Sequence, residues 1–182
     1  MLQFFDPRLW FVGIIAALAV SNANAFDYDS YQPENLDVTL KALQSETPET
    51  GVNIFTPPVK RKLEVKLAAY AEDCNTGFLK DAMMMIGIRP PENVSISKCI
   101  KVKSPQGQTV SMYIQDGVAA YLPEEVPLDA SLTLYVAFIY VRADGPPGVL
   151  VNEFESISPD KSAWRHERPP TLGFACGSPA NL

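Results

Sequence analysis

Several segments between residues 62 and 156 place apolar side chains at every second position, and this period of two constrains the fold more than any other feature of the chain. The first such segment alternates charged and apolar residues: Lys62, Leu63, Glu64, Val65, Lys66, Leu67. Successive side chains of a β-strand point to opposite faces of the sheet. The pattern therefore predicts a strand with one buried face and one wet face.

Two further pairs of segments predict β-hairpins. Residues 100–103 and 110–115 both alternate and are joined by Ser104-Pro105-Gln106-Gly107, whose residue types favour a turn. Residues 132–143 and 149–156 are joined by a second turn sequence, Asp144-Gly145-Pro146-Pro147-Gly148. The strand at 132–143 is apolar at both odd and even positions, so we expect it to be covered on both faces.

Two short helices accompany these strands. Residues 34–44 carry Leu36, Leu40 and Leu43 at helical spacing, and a helix of this length must dock on its own domain or in a partner's groove. A second helix is predicted after Cys74, ending at Gly87, with one apolar side formed by Phe78, Leu79, Ala82, Met83 and Ile86.

The pattern of about five strands predicts a mainly β fold with one or two short helices. The order of a long strand, a hairpin, a gap and a second hairpin resembles a small OB-like, partly open barrel. An antiparallel α+β sheet with helices on one face explains the same order and is the alternative.

The first 25 residues resemble a secretory signal peptide. Residues 9–20 are uninterruptedly apolar, and Ala23 and Ala25 supply the small residues that a signal peptidase needs. The run is short for a membrane span, although Asp6 offsets Arg8, so retention as an anchor is the alternative. We therefore predict an exported, for example periplasmic, protein with a signal peptide at residues 1–25.

The remainder divides into three parts by composition. Residues 26–58 form an acidic N-terminal arm that contains the first helix and, at 45–56, a linker or an extended arm. Residues 59–157 form the β-rich globular domain, and residues 158–182 form a Pro-rich C-terminal tail.

All three cysteines, Cys74, Cys99 and Cys176, follow the signal peptide, and an oxidising compartment favours their pairing. Three pairings are possible. We favour Cys74 with Cys99, because both lie at the ends of predicted strands that flank one insertion. Cys176 is then an odd thiol on the tail, and its role stays open.

Basic residues cluster on the first two predicted strands and indicate a binding surface. If these strands are neighbours, their polar faces form a positive stripe next to an aromatic ring, a combination frequent at binding hot spots. Such a face carries oligomeric ligands in OB-type barrels. The alternative is a solvated face, or one whose charge is neutralised by the acidic arm, which carries Asp27, Asp29, Glu34 and Asp37. The predicted binding residues are Lys66, Lys101, Lys103 and Tyr113, with Trp164 on the tail.

The sequence carries no motif for catalysis, a metal or a cofactor. His166 and Cys176 lie on the Pro-rich tail, which lacks the rigid scaffold that a catalytic pair needs. Met83, Met84 and Met85 are consecutive, so on a helix they point about 100° apart and cannot converge on one copper ion. Phosphate loops, zinc helices and serine elbows are missing as sequence patterns.

These observations favour a binding protein over an enzyme. A net charge of -6 and an exported location disfavour nucleic acid as a partner. We expect a non-catalytic protein that engages a protein partner or assembles into a cell-envelope complex, with membrane contact only if the signal peptide is retained. The alternative is a soluble binder of an anionic glycan or a lipid headgroup on the same stripe.

Overall fold

A computed structural model describes residues 26–91 and 94–157 of the chain. A short 3-10 turn at Tyr28–Ser30 precedes the regular elements. In chain order these are β1 (Gln32–Glu34), α1 (Leu36–Glu46), β2 (Val52–Asp73), α2 (Gly77–Met85), β3 (Lys98–Lys103), β4 (Thr109–Ile114), α3 (Asp116–Ala119), α4 (Leu122–Glu125), β5 (Ser131–Arg142) and β6 (Gly148–Ser156). The predicted signal peptide at 1–25 and the tail at 158–182, with Trp164, His166 and Cys176, lie outside the described residues.

Five strands form a partly closed ring in the order β2, β3, β4, β6, β5 and back to β2. β2 is the longest strand and pairs antiparallel with β5 through its first two thirds and with β3 through its last third. The ring is weakest between β4 and β6, where only two register pairs join parallel strands, Tyr113 with Leu150 and Ile114 with Val151. The mainly β prediction is confirmed, and the ring is consistent with the small OB-like, partly open barrel rather than with an open antiparallel sheet.

The main core lies inside this ring. The alternating residues of the first predicted strand point inward as expected, since Leu63, Val65 and Leu67 are all buried. Leu36 and Leu43 of α1 join them, so this helix docks on its own domain. Inward residues of the other strands complete the core: Ile100, Val102, Met112, Ile114, Leu134, Val136, Phe138, Val151 and Phe154.

A second, smaller core covers the outer face of β5. Ala137, Ile139 and Tyr140 pack there against α2, which contributes Leu79, Ala82 and Met83. The prediction that this strand is covered on both faces is therefore confirmed. Met83 is buried while Met84 and Met85 are 59% and 66% exposed, so the three methionines point in different directions.

Of the two interpretations of residues 45–56, a linker or an extended arm, the extended one holds from Val52, where β2 begins and continues past residue 58. The local signal is obscured by Pro57 and Pro58, which cannot donate to a ladder. Pairing with β5 is irregular between Ile54 and Val59, where these prolines lie, and regular on either side. Pairing with β5, which is distant in sequence, therefore makes residues 52–56 part of the sheet, although their local sequence is also compatible with a linker.

The acidic arm also holds an element that the pattern did not indicate. β1 is a three-residue strand that pairs parallel with β2, where Pro33 faces Lys62. α1 begins two residues later than predicted because Asn35 caps it, its side-chain oxygen accepting from the backbone N–H of Asp37 and of Val38.

An aromatic cluster fastens the start of the arm to the ring. The rings of Phe26, Tyr28 and Tyr31 pack against Tyr135 of β5, with centroids 4.9 to 5.7 Å from the Tyr135 ring. The Nδ2 group of Asn152 donates to the Tyr31 hydroxyl oxygen at 3.0 Å. The first described residues therefore belong to the folded body.

The disulfide prediction is confirmed. Cys74 and Cys99 are bonded, with 5.8 Å between their Cα atoms and a sequence separation of 25. The bond closes the insertion that contains α2 and anchors that helix to the end of the β2–β3 pair. A disulfide is consistent with an oxidising, exported location.

Candidate binding site

The predicted binding residues within the described ranges share the outer face of three neighbouring strands. Lys66 of β2 lies directly opposite Lys103 of β3. Lys101 follows on the same face of β3, opposite Ser111 of β4, and Tyr113 lies two residues beyond Ser111. The structure therefore brings Lys66, Lys101, Lys103 and Tyr113 onto one surface, whereas Trp164 lies outside the described residues.

This surface is not the positive stripe that the sequence indicated, because its lysines face carboxylates. Lys101 Nζ lies 2.9 Å from Glu72 Oε1, and Lys103 Nζ lies 2.8 Å from Asp129 Oδ1. The hydrogen bond from Lys103 and then the charges of Lys103 and Lys66 hold the pKa of Asp129 below its ordinary value. We call these five residues, Lys66, Glu72, Lys101, Lys103 and Asp129, the paired face.

Local sequence did not indicate which residues supply these carboxylates. The acidic arm was the expected source of neutralisation, but Glu72 belongs to β2 and Asp129 to the turn before β5. Only the cross-strand register puts them beside the lysines. The arm neutralises a different cation, since Glu34 forms an ion pair with Arg61.

Two other lysines of the first strand lie against the arm or against the β5 ring on which the arm packs. Lys60 donates to the Ser30 hydroxyl at 3.1 Å and lies over the Tyr31 ring. Lys62 lies over the ring of Tyr135 at 5.3 Å from its centroid. These cations are separate from the paired face.

A pocket of about 270 Å³ lies next to the paired face and is lined in part by Tyr113, two residues beyond the Ser111 that pairs with Lys101. It lies between α2 and the β5–β6 turn, and we call it the α2–turn pocket. Its walls combine aromatic, amide and charged side chains with a Gly-Pro turn: Asn75, Phe78, Tyr113, Tyr140, Arg142, Asp144, Gly145 and Pro146. Of these residues, only Tyr113 is also one of the binding residues predicted from the sequence.

Two phenols form the floor of the pocket. The hydroxyl oxygens of Tyr113 and Tyr140 are 3.1 Å apart and share a hydrogen bond. Tyr140 is buried, and this desolvation, followed by the hydrogen bond to Tyr113, raises the pKa of its phenol well above the ordinary value. The ring of Phe78 meets Tyr140 edge-on, with centroids 4.8 Å apart.

An arginine held on two sides forms one wall. Arg142 Nε donates to Asp144 Oδ1 at 2.8 Å, and the guanidinium carbon lies 5.4 Å from the centroid of the Phe78 ring. The hydrogen bond with Arg142 lowers the pKa of Asp144 and raises that of Arg142. A Cβ atom at Gly145 would stand 2.9 Å from Arg142 Nε, so only glycine lets the turn approach the guanidinium this closely.

Comparison with known proteins identifies no relative that assigns a role to this pocket. No protein-family model matches the chain, and a search of curated proteins found no match either.

Within residues 26–91 and 94–157, no three histidine, cysteine or acidic side chains are grouped so that they could hold a metal ion. Over the same ranges, no helix is long and apolar enough to cross a membrane.

Proposed function

We propose that this chain is an exported, non-catalytic binding protein that engages a protein partner through the paired face and the adjoining α2–turn pocket. The observation that carries the proposal is the alternation of positive and negative groups on that face. A protein surface with the opposite alternation complements it, and charge complementarity of this kind gives specificity and register at interfaces.

The ion pairs of this face are suited to exchange with a partner. In the two pairs that define the face, the side chains are 43% to 73% exposed. Exposed pairs of this kind contribute about 0 to 1 kcal/mol to stability, so re-pairing with a partner's charges costs little. A polyanionic glycan or lipid headgroup would instead meet Glu72 and Asp129, which disfavours the alternative ligand class.

The pocket supports binding rather than proton-transfer chemistry. A general acid or base works best with a pKa near the ambient pH. The pKa of Asp144 is lowered and those of Tyr140 and Arg142 are raised, so each of the three keeps one protonation state around neutral pH. The pocket therefore offers fixed hydrogen-bonding groups.

Export to the periplasm or cell envelope is part of the proposal. It is supported by the Cys74–Cys99 disulfide together with the predicted signal peptide at residues 1–25. The expected partner is accordingly another envelope protein or a component of an envelope assembly.

Site-specific photo-crosslinking in the native cell envelope tests this function. A photoreactive amino acid replaces Lys101 on the paired face in one strain and Lys41, an exposed residue of α1, in a matched control strain. We expect one stoichiometric protein adduct from position 101 and none of it from position 41, with the adduct lost when Lys103→Glu is added. A co-purifying glycan or lipid in place of a protein adduct would contradict the proposal.

A further inference from the structure

The guanidinium of Arg142 is held in place on two sides and directs its two terminal nitrogens, Nη1 and Nη2, away from Asp144. Nε is occupied by Asp144, and the plane is supported by Phe78. Within the residues that the structure describes, Nη1 and Nη2 have no hydrogen-bond acceptor. A guanidinium held in this way presents two parallel N–H groups that match the two oxygens of a carboxylate.

Other hydrogen-bond donors line the same pocket. Asn75 uses its side-chain oxygen to accept from the backbone N–H of Gly77, which leaves its NH2 group as a donor. Tyr113 and Tyr140 share one hydrogen bond, so one of their two hydroxyl hydrogens remains available. An acceptor-rich ligand therefore fits these groups better than a donor-rich one.

We propose that the α2–turn pocket binds a carboxylate carried by the partner polypeptide. This inference rests on the proposed function and names the chemical group that the partner inserts. Because Asp144 balances the formal charge of Arg142, recognition depends on the outward N–H groups of the guanidinium and the neutral donors beside it, which suits a single carboxylate better than a polyanion. The rings of Phe78, Tyr113 and Tyr140 supply an apolar wall for the carbon chain that bears it.

The carboxylate has two possible sources, an Asp or Glu side chain or the C-terminus of the partner. Three synthetic peptides distinguish them: Ac-Ala-Ala-Glu-Ala-NH2, Ac-Ala-Ala-Ala-OH and the neutral Ac-Ala-Ala-Gln-Ala-NH2. Each is titrated into the purified isotope-labelled protein while NMR follows the side-chain Nε–H of Arg142 and the backbone amides of the β5–β6 turn.

We expect one of the two acidic peptides to shift these signals at millimolar concentration and to bind at least tenfold more tightly than the Gln peptide. The peptide that binds identifies the source. Equal shifts from all three peptides, or none from any of them, would overturn the proposal.

Two variants test the role of the guanidinium without emptying the pocket. Arg142→Lys keeps the charge but loses the planar pair of donors, so we expect at least a fivefold loss of affinity for the acidic peptide. Gly145→Ala displaces the arginine side chain, since the added Cβ would stand 2.9 Å from Nε, and we expect a similar loss with little change in thermal unfolding. Arg89→Lys, at an exposed position outside the pocket, is the matched control and leaves affinity unchanged.

The two proposals fail in different ways. If position 101 captures a protein but neither acidic peptide binds, the carboxylate inference is wrong and the partner function stands. If an acidic peptide binds through Arg142 but no protein is captured in the envelope, the pocket is a carboxylate site and the partner function is wrong.

Discussion

Gly148 lies against the face of Tyr140 so closely that a Cβ atom on the glycine would stand 2.1 Å from ring carbon Cε1. The contact joins the start of β6 to the ring that separates the α2–turn pocket from the small core under α2. The absence of a side chain at residue 148 is therefore a requirement of the fold at this position.

Gly148→Ala is expected to destabilise the protein by about 1 to 3 kcal/mol, because the buried Tyr140 ring must move against a packed core. Urea unfolding measures the change. Gly117→Ala is the matched control: a Cβ at Gly117 meets nothing within 4 Å, and alanine in α3 favours the helix. Equal destabilisation by both variants would show that the Tyr140 contact is not the cause.

Replacing Cys74 and Cys99 together with serine is expected to lower the free energy of unfolding by about 3 kcal/mol, because the unfolded chain regains the freedom that the closed loop removes. The measurement is chemical unfolding of the variant beside the parent protein. Cys176→Ser is the control and should leave stability unchanged. A loss from Cys176→Ser as large as that from the double variant would contradict this prediction.

Tyr31 links stability to alkaline pH. Burial raises its pKa from 10.0 to about 12, with the Asn152 hydrogen bond acting in the opposite direction. A raised pKa in the folded state means that the stabilisation is complete below pH 10.0 and is lost as the pH rises from there towards about 12.

Absorbance titration at the phenolate band, taken as the difference between the parent and Tyr31→Phe, should therefore show a midpoint near pH 12. The stability of Tyr31→Phe should also depend less on pH in this range. A difference midpoint near the ordinary value of 10.0 would mean that the arm does not hold Tyr31 buried in solution.

Asn35→Ala is expected to destabilise the protein by about 1 kcal/mol, because the backbone N–H groups of Asp37 and Val38 lose their acceptor at the start of α1. Thermal unfolding gives the change. Asn35→Asp retains an acceptor of the same size and should remain within a few tenths of a kcal/mol of the parent. If Asn35→Ala left the thermal stability unchanged, α1 would have to unfold separately from the ring.

The sequence by itself determined the parts of the structure that depend on local periodicity. The period of two predicted the two hairpins and the buried face at Leu63, Val65 and Leu67, because adjacent side chains of a strand alternate between faces. The pairing of Cys74 with Cys99 also followed, since these cysteines flank a single insertion between neighbouring strands.

Only the tertiary structure determined which charged and aromatic side chains, distant in sequence, are in contact. Glu72 and Asp129 neutralise the predicted positive stripe through the register of β2, β3 and the turn before β5, a relationship without a local signal. In the same way Phe78 and Arg142 become neighbours, although 64 positions separate them, only when α2 packs on the closed ring. Periodicity reports which side of a strand a residue faces, whereas a binding site depends on which distant residue lies beside it.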